Sequence, residues 1–400
     1  MSTRRHLTTA QVLALIDDWS EDNEPSEPDA NDTSDGSEQD CSEHEDHNSE
    51  SEQSESSASS DEDEHDDSPS TFLGKGEPRF VWNRRPPRTG RTRSHNILTQ
   101  ASGPTDAARR PGMMFQEAFN CIFDDSMIDL IVLYTNEYIA SLQPQFAQSS
   151  NCRFTDREEI QAYIGCLYIT GVLRSNHLSF EDIWASDGTG CDLIRAIMSC
   201  QRFLFLSRVL RFDSRADRAR RRETDKMTAI RDLFEKFVAN CRSSYSPSEV
   251  LTIDESVLPF RGRCSFRVYF GSAKPKSYGI KAYCMTDSTT FYALNMEIYL
   301  GAQSGQNPVD NSPAAVVTRL IHPVSGSGRN ITTDNWYTSV PLALSLKRNH
   351  RLTLVGTIRK NRKEVPLEFI RTQQRELYST IFGFTEDLTI LLTKRNQTKL

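Results

Sequence analysis

The stretch Val250-Leu251-Thr252-Ile253-Asp254 decides how the second half of this chain folds. It is a short β-branched run that ends in an aspartate, and such a run predicts a strand with an acidic side chain at its carboxyl end. Two longer apolar runs follow at about 279–285 and 291–299, joined through the turn-forming triplet 287–289. These residues therefore predict three successive strands.

Helical and extended patterns alternate in the residues that follow. The sequence predicts a helix at about 314–321, a short strand at 330–333 that leads into Asp334, a helix at about 340–348 and a strand at 352–357. Three strands followed by alternating helices and strands are typical of an α+β domain with a mixed sheet flanked by helices. We expect this domain to occupy residues 249–400.

The preceding part of the chain has a helical pattern. Apolar residues between Phe115 and Val132 recur at spacings of three and four, which indicates a buried helix face. Thr155, with Glu158 three residues later, is typical of a capping box at the start of a helix over 156–172. Further helices are predicted at about 193–210 and 228–241. We therefore predict an all-helical domain over residues 111–248.

The N-terminal region, residues 1–110, has a different composition. Residues 21–67 carry 21 Asp and Glu and no Lys or Arg, which leaves 47 basic against 34 acidic residues in the rest of the chain. The acidic segment has too few apolar residues to offset the entropy cost of ordering, so we expect it to be disordered. The formal net charge of −8 disfavours a nucleic-acid partner, but the part of the chain that can fold is basic.

A basic segment over residues 75–93 follows the acidic one. Its six arginines are set among Pro86, Pro87 and Gly90, which favour an extended rather than a helical backbone. We expect a flexible arm that acts as a nuclear-import signal or as a tether contacting DNA phosphates, with a plain linker as the alternative. The nucleus is therefore the predicted location.

The cysteines and the apolar runs exclude several classes of protein. The nine cysteines include no C-x-x-C pair and no Cys/His cluster, so we expect no zinc site and reduced thiols. No run approaches the roughly 20 apolar residues that span a bilayer, and the N-terminus lacks a signal-peptide pattern. We therefore expect a soluble intracellular protein without membrane partners, and no small-molecule cofactor is indicated.

Asp254 and Asp334 are the candidate metal ligands. Each follows a predicted strand, and carboxylates at the ends of neighbouring strands can converge on one hard cation. An aspartate after a strand is also common as a turn former or a helix N-cap, and Asp334 precedes the predicted helix at 340–348. Spacing alone therefore leaves both interpretations open.

Four segments resemble the signature motifs of piggyBac-type transposases, in the same order. They are DESVLPFRGR at 254–263, KPKSYGIK at 274–281, TDNWYTS at 333–339 and LTLVGTIRKN at 352–361. The resemblance covers about residues 110–395. It implies an RNase H-like catalytic domain preceded by a helical DNA-binding and dimerisation domain, with DNA as partner and a homodimer as the assembly.

The resemblance also implies the chemistry of the site. Asp254 and Asp334 match the first two of three catalytic acids, which hold Mg²⁺ or Mn²⁺ for strand cleavage and transfer at TTAA targets. No match to the third acid or to the C-terminal zinc module of the family is found in this sequence. We therefore expect an incomplete catalytic domain that lacks full activity as a 400-residue chain, with the metal not necessarily bound. Asp287, Glu297, Asp310 and Asp387 are the acids available to substitute.

The basic residues near these motifs are candidates for contacts with DNA phosphates. They are Arg261, Arg263, Lys274, Lys276, Lys281, Arg359 and Lys360. The alternative is that some of them pair with Glu255 or are simply solvated. Likewise Tyr278, Trp336 and Tyr337 could stack on bases or belong to the core.

Three functional hypotheses remain open on this basis. The first is a transposase-derived DNA-binding protein with a partial catalytic site. The second is a non-catalytic DNA or chromatin factor that has kept the scaffold. The third is an incomplete isoform without independent activity.

Overall fold

A computed structural model describes residues 70–87, 98, 100–105, 108–110, 112–146, 152–260, 262–270, 278–301, 309–371 and 375–394. All of them belong to one compact unit, Ser70–Leu400. The acidic segment 21–67, for which disorder is predicted, lies outside the described residues.

Helices fill the chain from residue 115 to residue 244. They are α1 (Phe115–Ile122), α2 (Asp125–Phe146), α3 (Arg157–Val172), α4 (Phe180–Ile183), α5 (Asp192–Ile197), α6 (Cys200–Val209), α7 (Arg215–Arg222) and α8 (Arg231–Ser244), with a 3₁₀ turn at Ser175–His177. The helical character predicted for this part of the chain is confirmed. The predicted helix over 193–210 is two helices, because the Ser199 hydroxyl accepts the N–H of Arg202 and starts α6 anew.

The start of α3 differs from the prediction by one residue. Asp156, not Thr155, is the N-cap, and its carboxylate accepts a hydrogen bond from the backbone N–H of Glu159 at 2.8 Å. The Thr155 hydroxyl instead donates to the Glu159 carboxylate at 2.7 Å. Glu159 also pairs with the buried Arg202 at 2.6 Å. Burial alone raises the pKa of Glu159, but the hydrogen bonds from Arg202 and Thr155 hold it below the usual value.

Apolar faces of α2 and α3 build the core of the helical part. Ile139 of α2 lies with Cys166 of α3 and Leu206 of α6 in one buried cluster. Ile131 of α2 and Ile160 of α3 belong to a second cluster that reaches α8. These clusters hold the long helices together. They include α8, the helix that precedes the sheet in the chain.

A mixed six-stranded sheet forms the second layer. Its strands are β5 (Val250–Pro259), β6 (Val268–Tyr269), β7 (Tyr278–Asp287), β8 (Ala293–Ile298), β9 (Asn330–Thr333) and β10 (Thr353–Gly356), after a small pair formed by β3 (Gly103–Pro104) and β4 (Tyr245–Ser246). The order is β10-β9-β5-β7-β6, with β8 also paired to β7. β9 is parallel to β5 and to β10, whereas β7 is antiparallel to β5, β6 and β8. The predicted α+β class with a mixed sheet is confirmed.

Two helices cover one face of this sheet. They are α9 (Pro313–Leu320) and α10 (Val340–His350), with a 3₁₀ turn at His322–Val324 between them. Leu251 and Ile253 point into the apolar layer beneath these helices and are fully buried. Since successive side chains of a strand alternate between faces, Thr252 and Asp254 lie on the opposite face.

The N-terminal basic segment is ordered where the structure describes it. β1 (Thr71–Leu73) and β2 (Val81–Asn83) form a sheet with β11 (Thr380–Phe384) and β12 (Thr389–Thr393), near a 3₁₀ turn at Leu367–Phe369. Phe72 and Trp82 are buried against Phe369, and the Trp82 indole N–H donates to the carbonyl of Glu364 at 2.9 Å. The predictions of disorder over 1–110 and of a flexible arm over 75–93 are therefore wrong for residues 70–87.

Two further observations concern the cysteines and the helices of the described residues. The eight cysteines in this part of the chain are free thiols. None of its helices combines the length and the apolar character that a bilayer crossing requires.

Candidate metal and nucleic-acid site

The two candidate aspartates occupy adjacent backbone positions, one on β5 and one directly after β9. In the parallel pair β5–β9, Ile253 is the register partner of Thr333, so Asp254 and Asp334 are the next residues along their strands. Both residues are exposed, on the face of the sheet that α9 and α10 do not cover. The sequence placed Asp254 at a strand end, but β5 continues to Pro259 because it pairs with β7 along its whole length.

Backbone N–H groups orient both carboxylates. Asp254 Oδ1 accepts from the N–H of Glu255 at 2.7 Å. Asp334 Oδ1 accepts from the N–H of Trp336 at 2.9 Å and from that of Tyr337 at 3.3 Å. The turn after β9 therefore holds the Asp334 side chain at the carboxyl edge of the parallel strands.

Close packing of β10 against the end of β9 also fixes the turn that carries Asp334. β10 pairs with β9 so that Gly356 lies beside Thr333. A Cβ at Gly356 would lie 2.5 Å from the carbonyl oxygen of Thr333, so only glycine fits there. The Thr333 and Thr338 hydroxyls share a buried hydrogen bond at 2.7 Å, which ties the end of β9 to the start of α10.

Cys284 of β7 is the register partner of Asp254 on the other side of β5. Burial, with the Asp254 carboxylate beside it, raises the pKa of the Cys284 thiol to about 11. The thiol is therefore neutral at physiological pH, and it adds no anionic ligand to the two carboxylates.

The carboxylate pair fits part of a magnesium or manganese site. Carboxylate oxygens are the hard ligands that these ions prefer, and both aspartates are exposed where an ion and a phosphate could reach them. Within the described ranges, however, no cluster of three or more His, Cys, Asp or Glu side chains has the arrangement of a metal site. The described residues thus bring two candidate acidic ligands to this edge of the sheet.

The four acids considered as substitutes are all engaged elsewhere. Asp287 is buried and accepts hydrogen bonds from the N–H groups of Ser248, Thr289 and Thr290. Glu297 pairs with Arg319 at 2.8 Å, Asp310 accepts the N–H and hydroxyl of Ser312, and Asp387 pairs with Lys347 at 2.8 Å. None of these contacts brings an acid to the edge that carries Asp254 and Asp334.

Two basic residues, Arg359 and Lys360, follow β10 in the chain. Arg359 donates through Nε to the Asn335 side-chain oxygen at 3.3 Å, so it lies beside the residue that follows Asp334. Lys360 is exposed, and its carbonyl accepts a hydrogen bond from Lys75 Nζ at 2.6 Å. Arg263 is exposed in the loop between β5 and β6. Arg261, Lys274 and Lys276 lie outside the described residues.

Lys281 is held by contacts within the protein. Its Nζ pairs with the Glu255 carboxylate at 3.1 Å, and its side chain is only 19% exposed. The rings of Tyr283, Trp336 and Tyr299 surround the ammonium group, with centroids at 5.0, 5.3 and 5.7 Å. The pairing with Glu255 that the sequence left open as an alternative is present, and it leaves little of Lys281 for a phosphate.

The aromatic residues divide between the core and the surface. Tyr337 is buried in the apolar layer, and Trp336 packs against the same cluster. Tyr278 is half exposed, stacks near Tyr269 and lies under the Arg267 guanidinium at 4.7 Å. Of the three aromatic candidates, Tyr278 is the one that keeps the exposure that base stacking requires.

Arg362 is a candidate that the sequence prediction missed. Its Nε is buried and has no hydrogen-bond partner in the described part of the chain. It lies two residues after Lys360, in a run with four basic residues over 359–363 that could have indicated it. Because this nitrogen is closed to solvent, Arg362 would contact an anionic ligand only through the other nitrogens of its guanidinium.

Two human proteins resemble this chain in sequence. PiggyBac transposable element-derived protein 3 is 24% identical over 262 residues, which cover 63% of this chain and 41% of that protein. The Chimeric ERCC6-PGBD3 protein is also 24% identical over 262 residues, which cover 23% of its length. The chain thus spans less than half of either relative.

A family model and a solved structure agree with these matches. The model, described as Transposase IS4, matches residues 116–400. The cryo-EM structure of the piggyBac transposase synaptic complex with hairpin DNA contains a chain with 37% identity and a TM-score of 0.69, covering 74% of this chain and 61% of that one. The helical part and the mixed sheet therefore form the fold of that transposase. This chain belongs to the piggyBac-type transposases, within the family that the Transposase IS4 model describes.

Proposed function

We propose that this chain is a transposase-derived DNA-binding protein in which Asp254 and Asp334 hold a divalent cation next to a bound DNA strand. The observation that carries the proposal is the parallel register of β5 and β9, which places the two carboxylates side by side. Carboxylates brought together in this way are suited to Mg²⁺ or Mn²⁺. DDE-type transposases as a class use such ions.

The proposed division of roles follows from the chemistry of the residues. A bound divalent ion would stabilise negative charge on phosphate oxygens during strand cleavage and transfer. Asp254 and Asp334 would hold that ion, with their carboxylates oriented by the N–H groups of Glu255, Trp336 and Tyr337. Arg359, Lys360 and Arg263 would position the DNA backbone by contacts with its phosphates.

DNA as the partner is supported by position and by resemblance. Arg359 lies beside Asn335, next to Asp334, so a strand that contacts it would pass the carboxylate pair. The solved relative is a transposase in a synaptic complex with hairpin DNA. The match covers 61% of that transposase chain. We propose TTAA as the target sequence, a homodimer as the assembly and the nucleus as the location, on the resemblance of the motifs.

A second candidate function is DNA or chromatin binding without catalysis. The observation that favours it is the number of acids at the site, because the described residues bring two carboxylates together and engage Asp287, Glu297, Asp310 and Asp387 elsewhere. Both candidates require DNA binding at the same edge of the sheet. They differ in whether a metal ion takes part.

Fluorescence anisotropy with a labelled duplex containing TTAA tests the shared part of the proposal. The double variant Arg359→Ala/Lys360→Ala should bind DNA more weakly, because two phosphate contacts are lost. The slope of log affinity against log salt should fall by about 2. A scrambled duplex measured in parallel separates sequence readout from contacts with the backbone.

Lys347→Ala/Arg348→Ala is the matched control. It removes the same charge from exposed positions on α10, where both side chains pair with Asp387. We expect it to leave the affinity for DNA close to that of the wild type. Equal losses in the two double variants would show that only net charge matters, and the proposed DNA path past Asp334 would then be wrong.

A further inference from the structure

The residues whose N–H groups hold the Asp254 and Asp334 carboxylates contact one another through their side chains on the opposite face of the sheet. The N–H groups that orient Asp254 and Asp334 belong to Glu255, Trp336 and Tyr337. The side chains of these three residues meet on the face covered by α9 and α10. Side-chain contacts on the helix-covered face of the sheet thus connect the residues that donate hydrogen bonds to the two carboxylates on the other face.

Direct contacts close this network. The Tyr337 hydroxyl donates to Glu255 Oε1 at 3.2 Å, and the Lys281 ammonium pairs with the same oxygen at 3.1 Å. Lys281 also lies over the Trp336 ring at 5.3 Å, and Trp336 stacks parallel to Tyr283 at 6.3 Å. Each donor residue is therefore held by its own side chain as well as by its backbone.

The network crosses from β5 to the turn after β9. Glu255 belongs to β5, Lys281 to β7, and Trp336 and Tyr337 to the segment between β9 and α10. Tyr337 is 1% exposed, so its hydroxyl has no access to water that could replace Glu255. Loss of the Tyr337–Glu255 hydrogen bond would leave a partly buried carboxylate oxygen with one partner fewer.

We infer that Glu255, Lys281 and Tyr337 are positioning residues that fix the relative orientation of the Asp254 and Asp334 carboxylates. They act through the N–H groups of Glu255, Trp336 and Tyr337 and touch neither a metal nor DNA. Orientation matters because a metal site needs its ligands at set distances and angles. The inference rests on the proposed function, because only a metal site requires this orientation. The coupling between the side-chain contacts and the two carboxylates exists in the chain without a bound metal.

Hydrogen–deuterium exchange of the backbone amides tests this coupling without any metal. In Tyr337→Phe, the amides of Glu255 and Trp336 should exchange at least about threefold faster, because Glu255 loses the hydrogen bond that joins it to the turn that carries Trp336. Lys281→Met should have the same effect on Trp336, since it keeps the aliphatic stem but removes the charge within the ring cluster. The two variants are independent, so either one decides the matter if the other fails to fold.

Matched controls separate this role from a general loss of stability. Tyr292→Phe removes another buried tyrosine hydroxyl, which donates to the Cys241 carbonyl at 2.9 Å. Lys347→Met removes a charge that pairs with Asp387 at 2.8 Å. Neither control should change exchange at Glu255, Trp336 or Tyr337.

The outcomes for the inference and for the proposed function differ. Unchanged exchange at Glu255 and Trp336 in both Tyr337→Phe and Lys281→Met overturns the inference, whether or not the chain binds a metal. An equal rise in the Tyr292→Phe control also overturns it. Failure of the wild type to bind Mn²⁺ contradicts the proposed metal site and leaves the exchange result to decide the coupling.

Discussion

At the scale of single residues, hydrogen-bond partners decide what each aspartate does. Asp254 and Asp334 are exposed and lie next to each other in the sheet. Asp287 is fully buried at the far end of β7 and accepts five hydrogen bonds, from the N–H and hydroxyl of Ser248, from the N–H groups of Thr289 and Thr290, and from the Tyr245 hydroxyl. Asp287 therefore ties the β7–β8 turn to the start of β5.

Asp287→Asn should destabilise the fold at neutral pH. The amide can keep one oxygen toward Thr289 and Thr290, but its NH₂ group then faces the Ser248 N–H, which loses its acceptor. We expect the free energy of unfolding to fall by about 1–3 kcal/mol. Metal affinity should not change, because the residue is remote from Asp334. Urea unfolding of both proteins measures the difference.

The pH dependence of this difference has a definite sign. Burial alone raises the pKa of Asp287, but the hydrogen bonds outweigh it and hold the pKa below the usual range. A lowered folded-state pKa stabilises the fold above the unfolded value of about 3.9 and loses this contribution as the pH falls through the folded value. The two proteins should therefore converge in stability at acid pH. An Asp287→Asn variant of normal stability that no longer binds Mn²⁺ would identify Asp287 as a ligand instead.

At the scale of elements, the two short N-terminal strands belong to the folded body of the chain. β1 and β2 pair with each other, and β2 meets β11 at Asn83 and Phe384. Trp82 is 2% exposed, and its indole reaches a carbonyl 282 residues away in sequence. The basic side chains between residues 75 and 85 therefore project from an anchored segment.

Trp82→Ala should destabilise the chain by about 3–5 kcal/mol, because a buried indole leaves a cavity and an unsatisfied carbonyl at Glu364. Arg85→Ala, at an exposed position three residues away, should change the stability by no more than about 0.5 kcal/mol. Thermal or urea unfolding monitors both variants. Wild-type stability in Trp82→Ala would mean that residues 70–87 do not anchor to the β11–β12 hairpin.

Local pattern explains which elements the sequence could predict. The strand at 330–333 and the helix that begins at residue 340 match β9 and α10, because turn residues and apolar spacing mark them within a few positions. The continuation of β5 through Glu255 and Ser256 could not be predicted, since it depends on pairing with β7. β1 and β2 were missed for the same reason, as three-residue strands whose partners lie far along the chain.

The candidate site shows the same limit. The motifs identified Asp254 and Asp334, but their adjacency follows from the β5–β9 register. Lys281 belongs to the same motif as Lys274 and Lys276, yet its side chain faces Glu255 and three aromatic rings. Which face of the sheet a basic residue occupies depends on strand pairing, and single-sequence motifs do not report it.

At the scale of the whole molecule, charge is distributed unevenly. Residues 21–67 carry 21 acidic side chains, and the rest of the chain has an excess of Lys and Arg. The carboxylates of this acidic segment are oxygen ligands that could take up divalent ions apart from Asp254 and Asp334. Any test of a specific ion at Asp254 and Asp334 must therefore hold that background constant. Single substitutions in the 400-residue chain achieve this.

The central claim is that Asp254 and Asp334 together hold one divalent cation. Titration of the 400-residue chain with Mn²⁺, with the free ion followed by electron paramagnetic resonance, tests it most directly. We predict one site tighter than the background, weakened at least about tenfold by Asp254→Asn and by Asp334→Asn. Asp387→Asn, which removes a carboxylate paired with Lys347, should leave that site intact. Mn²⁺ binding that is the same in the wild type, Asp254→Asn and Asp334→Asn would contradict the claim.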